Sequence, residues 1–246
     1  MSSKTTNLCL PLKNVMLFAE LVDRVQNRPR HLPGMACFYG PSGYGKSRSA
    51  TFGAHRAGAF YVEMDESFTK RTLCQKICIE LGLGNAVKSS LPDLVGIITD
   101  RLAETGDRPL IIDEADFLIK KGMVDIVRAL HDKSQAPIIL IGEELLPSKL
   151  QAFERTHNRM LDWVAAQPCD LSDARLIASK MSDGIEIAED LVEAIAKASD
   201  GRVRRVMVNL EQVVSFGRIT AKKKLTLKDW GDRPLFTGEP PKRRAA

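Results

Sequence analysis

The sequence predicts an α/β protein whose parallel sheet is covered by helices on both faces, followed by a small helical domain. Short apolar runs alternate with helical patterns between residues 35 and 165, and such alternation is typical of a parallel sheet. A glycine-rich turn links the first apolar run to the next helix. After residue 171 the pattern changes to helices and turns without strand signals, which predicts a separate helical lid.

The elements follow in order along the chain. A first helix is predicted at 11–28, where apolar residues recur at helical spacing until Pro29 and Pro33 end it. Strands are predicted at four apolar runs and at a weaker fifth, namely 35–39, 59–65, 108–116, 136–142 and 163–171. Helices are predicted between them at 46–56, 69–81, 91–104 and 124–132.

The domain organisation predicted from these patterns has four parts. They are an N-terminal helix and linker (1–30), an α/β domain that contains the glycine-rich turn (31–171), a helical lid (172–218) and a basic, mobile tail (219–246). From Gly217 onward the chain carries nine lysine and arginine residues but only three acidic residues, within a net charge of +5. This imbalance fits either a polyanionic partner or a solvated tail that aids solubility.

Composition excludes several classes of protein. No apolar run reaches the ~18–20 residues that a membrane span needs, so no membrane partner is expected. Five cysteines without ligand spacing predict neither a metal site of their own nor a disulfide framework. We therefore expect a cytoplasmic protein.

The glycine-rich turn fits the phosphate-loop pattern G-x-x-x-x-G-K-[ST]. Its glycines let several main-chain N–H groups point at phosphate oxygens, and the following helix offers its positive N-terminus. Lys46 is predicted to reach the β- and γ-phosphates, and the Ser47 hydroxyl to ligate Mg²⁺. The predicted ATP-binding residues are Gly40, Pro41, Ser42, Gly43, Tyr44, Gly45, Lys46, Ser47 and Arg48.

The third predicted strand ends in acids, as a phosphate loop requires of a second strand. Asp113 at its tip is expected to hold Mg²⁺ through water, and Glu114 to polarise the water that attacks the γ-phosphate. An alternative is that these acids cap the next helix. ATP binding and ATP hydrolysis are both predicted, with ATP and Mg²⁺ as cofactors.

These motifs together resemble those of the AAA+ ATPases, a branch of the P-loop NTPases. The resemblance rests on GPSGYGKS, LIIDEAD, the helical lid and the segment at 199–213, and it covers about residues 10–216. The segment resembles the sensor-two helix, whose Gly-x-x-Arg form implies that Arg204 reaches the γ-phosphate. Within the family, the chain looks most like the DNA-transposition ATPases of the MuB and TnsC type.

The resemblance also implies an arginine finger supplied by a neighbouring subunit, and therefore a homo-oligomer, either a ring or a helical filament. The candidates are Arg155 and Arg159, of which Arg159 is preferred because it lies close to the fifth strand. Glu143 stands where such ATPases usually carry an uncharged polar residue. Its carboxylate is expected near Glu114, where repulsion would raise a pKa and make hydrolysis slow or dependent on a partner.

Two short basic stretches fall in loops that would face double-stranded DNA in such an assembly. They supply Thr69, Lys70, Arg71, Lys120 and Lys121 as candidate contacts to phosphates. Such contacts give sequence-independent, salt-sensitive binding. Thr69 could instead cap its helix, and the lysines could form an ordinary solvated surface.

The leading functional hypothesis is an ATP-dependent ATPase that assembles on duplex DNA without sequence preference. It would deliver target DNA to a transposase or activate that transposase, a link that rests on resemblance alone. Two alternatives remain open: a helicase loader or replication initiator, and a nucleotide-gated protein scaffold that binds no DNA.

Overall fold

The computed structural model describes residues 10–239 and divides the chain into two compact units. The sheet unit comprises residues 14–41 and 46–166. The helical unit comprises, among the described residues, 10–13, 42–45 and 167–239. The predicted division into four domains stays a prediction.

The sheet unit contains a five-stranded sheet in the order β2-β3-β4-β1-β5, and all of its strand pairs are parallel. Its central strands are buried on both faces, as their continuous apolar runs predict. The strands are β1 Met35–Tyr39, β2 Phe60–Glu63, β3 Leu110–Asp113, β4 Ile138–Gly142 and β5 Met160–Ala165. The predicted parallel sheet is thus confirmed.

Helices connect these strands, and most of them bury an apolar side. The helices of the sheet unit are α1 Lys13–Gln26, α2 Lys46–Ala57, α3 Lys70–Glu80, α4 Leu91–Glu104, α5 Asp116–Lys120, α6 Val124–Ser134, α7 Leu146–Gln151 and α8 Glu154–His157. The first residue of α1 belongs to the helical unit. A 3₁₀ turn, Gly84–Lys88, joins α3 to α4. Ser90 begins α4 by accepting the Asp93 amide, and Thr69 begins α3 in the same way from Thr72.

Strand β5 begins earlier than the sequence analysis places it. The predicted segment, 163–171, omitted the stretch Met160–Asp162 because a carboxylate interrupts the apolar run. Asp162 is tolerated in the strand because its carboxylate pairs with Arg24 at 2.9 Å. An edge strand can carry such a charge, since one side of it faces no neighbouring strand.

In the part of the chain that the structure describes, the helical unit holds four helices and a two-stranded parallel ladder around its own apolar core. They are α9 Leu171–Met181, β6 Glu186–Ile187, α10 Glu189–Ser199, α11 Val203–Ile219, β7 Lys224–Leu225 and α12 Leu227–Trp230. Asp170 begins α9 by accepting the Asp173 amide.

The segment after residue 219 differs from the mobile tail that the sequence predicts. Leu225 is fully buried and Trp230 is 5% exposed, and both pack into the core of the helical unit. Thr226 and Asp229 form a capping box that starts α12. Several tail cations are paired, including Lys222 with Asp229 and Lys224 with Glu186. The predicted tail residues 240–246 lie outside the described residues.

Two expectations about composition can be compared with the described residues. No helix within 10–239 combines the length and apolarity needed to cross a bilayer. The cysteines at 37, 74, 78 and 169 are buried free thiols, and no cluster of metal-ligating side chains occurs in this part of the chain.

Candidate functional site

The glycine-rich turn after β1 has a backbone that only glycine adopts readily. Gly43 and Gly45 have φ angles of +88° and +85°, in the left-handed region where a Cβ is strained. Gly40 approaches another strand end so closely that a Cβ would lie 3.1 Å from that of Ala166. The three predicted glycines therefore allow the turn to curl tightly between β1 and α2.

Lys46 folds back onto the loop that precedes it. Its Nζ donates to the carbonyl oxygens of Gly40 at 2.6 Å and Pro41 at 3.0 Å. Burial lowers the pKa of Lys46, and the nearby carboxylates of Glu114 and Asp113 oppose that shift. The ammonium group is thus held at the loop in a partly desolvated position, where an anionic ligand gains most from its charge.

The start of α2 supplies main-chain donors for an anion. Among the described residues, the N–H groups of Lys46 and Ser47 donate to no protein acceptor. The first N–H groups of a helix have no partner within the helix, and their partial positive charge attracts phosphate. The side chains of Ser47 and Arg48 are exposed. These donors, with Lys46, fit the triphosphate of a nucleotide.

The tip of the loop, residues 42–45, belongs to the helical unit, where it packs against the start of α11. A Cβ at Gly43 would lie 3.3 Å from Cγ of Arg202, and one at Gly45 would lie 3.4 Å from Val203. The hydroxyl of Tyr44 approaches Gly201 similarly, at 3.6 Å from a built Cβ.

Arg202 is the arginine that lies against the loop tip. Its guanidinium donates to the Asp200 carboxylate, and its aliphatic part covers Gly43. The side chain of Arg204 is exposed. The assignment of Arg204 to the γ-phosphate stays a prediction, because the Gly-x-x-Arg pattern alone supports it.

Asp113 lies at the end of β3 with a carboxylate that is 2% exposed. Its Oδ2 accepts the Tyr61 hydroxyl at 2.6 Å, and its Oδ1 accepts the Glu114 amide at 2.8 Å. Burial, followed by this hydrogen bond, raises the pKa of Tyr61 above its usual value. The carboxylate is therefore fixed at both oxygens.

Glu114 adopts a backbone conformation that is uncommon for a residue with a side chain. Its φ angle is +54°, in a region that costs a non-glycine residue about 1–3 kcal/mol. Burial raises its pKa, with Asp113, Asp116 and Glu143 adding to the shift and Lys46 opposing it. A carboxylate tuned upward in this way is suited to act as a general base near neutral pH.

The expected proximity of Glu143 to Glu114 is present, but its effect is small. Glu143 is the weakest of the causes that raise the Glu114 pKa. Its amide donates to Asp116 Oδ2 at 2.7 Å, and Asp116 Oδ1 accepts Lys149 at 2.7 Å. Gly142 allows this approach, since a Cβ there would lie 2.4 Å from the carboxylate. Asp116 thus ties the end of β4 to the segment that follows β3.

The two arginine-finger candidates differ in what holds them. Arg159 Nε donates to Asp132 Oδ1 at 2.8 Å, and Asp132 also pairs with Arg128 at 2.6 Å. Arg155 is exposed and makes no ion pair with any described residue. The sequence preference for Arg159 therefore finds no support in the structure, because that guanidinium already has a carboxylate within its own subunit.

The two basic stretches lie beside each other, since Lys120 pairs with Glu66 at 2.6 Å across 54 residues. Their members differ in availability, however. Arg71 donates to the carbonyl oxygens of Lys88 and Ser89, and Thr69 caps α3. Within residues 10–239, Lys70 and Lys121 are exposed and form no ion pair, although the carboxylates of Asp65 and Glu66 lie near enough to Lys121 to be influenced by its charge. Of the five predicted contacts, these two lysines are the ones free to bind phosphate.

Sequence reasoning missed Tyr61 and Asp116, which hold the acidic strand end in place. Asp116 belongs to the quoted DEAD segment, so its proximity to the site could have been inferred. Tyr61 gave a weaker signal, an aromatic hydroxyl in a strand that runs beside β3.

Two comparisons with known proteins, one with protein families and one with solved structures, agree on the fold. Residues 30–150 match the protein family described as an AAA domain. The search of curated proteins finds no match to the sequence.

Solved structures of low sequence identity share the architecture. The ORC2 protein of Aeropyrum pernix is 17% identical with a TM-score of 0.67, and the match covers 85% of this chain and 64% of that one. The ORC1 protein of the same organism, solved in complex with DNA, is 18% identical with a TM-score of 0.65, covering 88% of this chain and 62% of that one. Domain III of the replication initiation protein DnaA from Thermotoga maritima is 18% identical with a TM-score of 0.55, covering 91% of each chain.

These findings confirm the predicted fold class, an α/β core of the AAA+ P-loop NTPase type. The chain spans less than two thirds of the two ORC proteins that it matches. Residues 30–150 carry the similarity at the level of sequence, and they include the phosphate loop and the acidic end of β3.

Proposed function

We propose that this protein is an ATPase that binds ATP and Mg²⁺ at the phosphate loop and couples the nucleotide to DNA binding. The arrangement of Lys46 at the loop, with Asp113 and Glu114 at the end of a neighbouring strand, is the observation that carries the proposal. Both carboxylates lie near enough to Lys46 to oppose the lowering of its pKa, which supports a shared site for the three groups.

The residues of the site divide the work of phosphoryl transfer. The N–H groups of the loop and Lys46 would bind the phosphates, and Ser47 and Asp113 would hold Mg²⁺, whose charge would offset that of the phosphate oxygens. Glu114 orients and deprotonates the attacking water, for which its raised pKa suits it.

Coupling to DNA is supported by the paired basic stretches of the sheet unit. Lys70 and Lys121 are exposed, and the neighbouring Lys120–Glu66 ion pair holds the two loops together. The solved complex of a structurally similar ORC1 protein with DNA is consistent with this use of the fold. Contacts of this kind bind phosphates regardless of sequence.

Charge reversal of these two lysines tests the proposed DNA surface. The double variant Lys70→Glu/Lys121→Glu should bind a random duplex more weakly. The slope of log K against log salt should also fall by about 0.9 for each lost phosphate contact. Fluorescence anisotropy over a series of salt concentrations measures both quantities.

The matched control is Lys223→Glu/Lys228→Glu, which reverses two exposed lysines of the helical unit. If that control loses DNA binding while the first pair keeps it, the C-terminal basic region binds the DNA and the proposed surface is wrong. ATP binding should be equal in both double variants, because neither pair belongs to the nucleotide site.

An oligomer would complete the site with an arginine from its neighbour, and the structure favours Arg155 for that role. We expect Arg155→Ala to lower the ATPase rate by about 10³-fold, the lower end of the range for arginine fingers. Arg159→Ala should instead lower the thermal midpoint slightly, since partly exposed ion pairs contribute about 1 kcal/mol or less. Steady-state ATPase assays and circular dichroism measure the two effects.

Mixing two inactive variants makes the finger test decisive. Arg155→Ala retains Glu114, and Glu114→Gln retains the arginine, so sites shared between the two proteins should recover activity. If the mixture stays as inactive as its components, Arg155 does not act across a subunit interface.

Two kinds of protein are candidates for the partner that would bind this ATPase on DNA. The sequence resemblance to MuB- and TnsC-type ATPases supports a transposase, to which the oligomer would deliver target DNA. The structural neighbours, which include ORC proteins and DnaA, support a role in replication initiation or helicase loading. Stimulation of the ATPase by a cognate transposase or by a replicative helicase would discriminate between them.

A further inference from the structure

Tyr61 lies on β2 at a position from which its side chain reaches the end of β3. In the parallel register, Tyr61 pairs with Ile111 and Glu63 pairs with Asp113. Tyr61 and Asp113 therefore share one face of the sheet, in the diagonal relation that separates Cα atoms by about 7–8 Å. A phenol ring spans that separation, and the hydroxyl donates to Asp113 Oδ2 at 2.6 Å.

This hydrogen bond completes the immobilisation of Asp113. The other oxygen, Oδ1, accepts the Glu114 amide at 2.8 Å, and the side chain is 2% exposed. Without the Tyr61 hydroxyl, Oδ2 would lose its only donor among the described residues. The carboxylate would then be free to turn about its terminal torsion, which has a broad, shallow energy profile.

Tyr61 also lies beside the helix that carries Ser47. Thr51, one turn into α2, lies near Tyr61, and its hydroxyl donates to the Ser47 carbonyl at 2.9 Å. Tyr61 therefore lies close both to the helix that carries Ser47 and to Asp113, whose carboxylate accepts its hydroxyl. These are the two residues to which the proposed function assigns the metal ion.

We propose that Tyr61 is a positioning residue that sets the affinity of the nucleotide site for its divalent cation, through its hydrogen bond to Asp113. The inference rests on the proposed function, because Asp113 is the acid assigned there to Mg²⁺. Partners that orient a metal-binding carboxylate typically change metal affinity or activity by about 10–100-fold when they are removed. Tyr61 would not touch the nucleotide or the metal itself.

The test is a Mg²⁺ titration of ATP binding by the full chain, followed with a fluorescent ATP analogue, for wild type and Tyr61→Phe. We expect the Mg²⁺ concentration for half-maximal binding to rise about tenfold in the variant. Binding of the analogue in the presence of EDTA should not change. A general structural defect would weaken binding under both conditions.

Tyr39→Phe is the matched control, because it removes a hydroxyl from β1 that makes no side-chain hydrogen bond within residues 10–239. Its Mg²⁺ titration should match that of wild type. Tyr61→Met is the second variant if Tyr61→Phe does not fold, since it also removes the hydroxyl that donates to Asp113. It should shift the Mg²⁺ titration in the same direction.

A double-mutant cycle with Asp113→Asn shows whether Tyr61 acts through Asp113. In the Asp113→Asn background, adding Tyr61→Phe should cause no further shift of the Mg²⁺ titration. An unchanged titration in Tyr61→Phe, or an equal additional shift in the double variant, would overturn the inference. If wild type itself binds no ATP in the presence of Mg²⁺, the proposed function fails and the inference fails with it.

Discussion

Lys46→Ala should remove most ATP binding while leaving the fold intact. A hydrogen bond to a charged group contributes about 1.5–3 kcal/mol, so the affinity should fall by about 10- to 150-fold. The fold should tolerate the change because burial lowers the pKa of Lys46, which means that the folded protein disfavours its charge. Isothermal titration calorimetry with Mg²⁺-ATP measures the affinity, and circular dichroism measures the thermal midpoint.

Lys133→Ala is the control for this variant, because Lys133 is an exposed lysine in the last turn of α6. It should bind ATP as wild type does. Equal affinity in Lys46→Ala and wild type would contradict the assignment of the loop. A thermal midpoint that collapses in Lys46→Ala would mean that the lysine is needed for folding instead.

Glu114→Gln should separate ATP binding from ATP hydrolysis. The amide cannot accept the proton of the attacking water, so the hydrolysis rate should fall by about 10²–10⁴-fold while ATP affinity is retained. In wild type, the rate should fall on acidification at a pH above the usual pKa range of a glutamate, because burial and then Asp113 raise the Glu114 pKa. Coupled-enzyme assays across pH measure both effects.

The same substitution should stabilise the protein at neutral pH. A carboxyl whose pKa is raised in the folded state contributes stability below its unfolded pKa, and that contribution is lost as the pH rises through the folded pKa. Glu114 therefore disfavours folding at neutral pH, and Glu114→Gln should raise the thermal midpoint there. If Glu114→Gln hydrolyses ATP at the wild-type rate, Glu114 is not the general base. If the variant melts at a lower temperature than wild type at neutral pH, the folded protein does not raise the pKa of Glu114.

The sequence predicted those parts of the site that depend on neighbouring residues. The glycines, Lys46 and Ser47 act within one turn of the chain, so their spacing alone indicates their arrangement. The apolar runs likewise predicted the strands, and strand β1, Met35–Tyr39, has the predicted limits. Helix α4, Leu91–Glu104, also has the limits that its helical spacing predicted. The strand order requires knowledge of which runs become neighbours, and no local pattern contains it.

The parts that were missed depend on contacts between distant segments. Tyr61 meets Asp113 across 52 residues, because β2 lies beside β3. Arg159 meets Asp132 across 27 residues, and that contact occupies the arginine that the sequence favoured as a finger. The folding of residues 224–230 was missed for another reason, since Thr226 and Asp229 form a capping box that the sequence already contains.

Nucleotide-dependent DNA binding is the central claim, and one measurement tests it most directly. Fluorescence anisotropy of a labelled random duplex would be recorded with ATP, with ADP and without nucleotide, using Glu114→Gln to prevent turnover. The account predicts salt-sensitive binding with ATP that is much weaker with ADP and is lost in Lys46→Ala. Binding of equal strength in all three nucleotide conditions, or no binding in any of them, would contradict it.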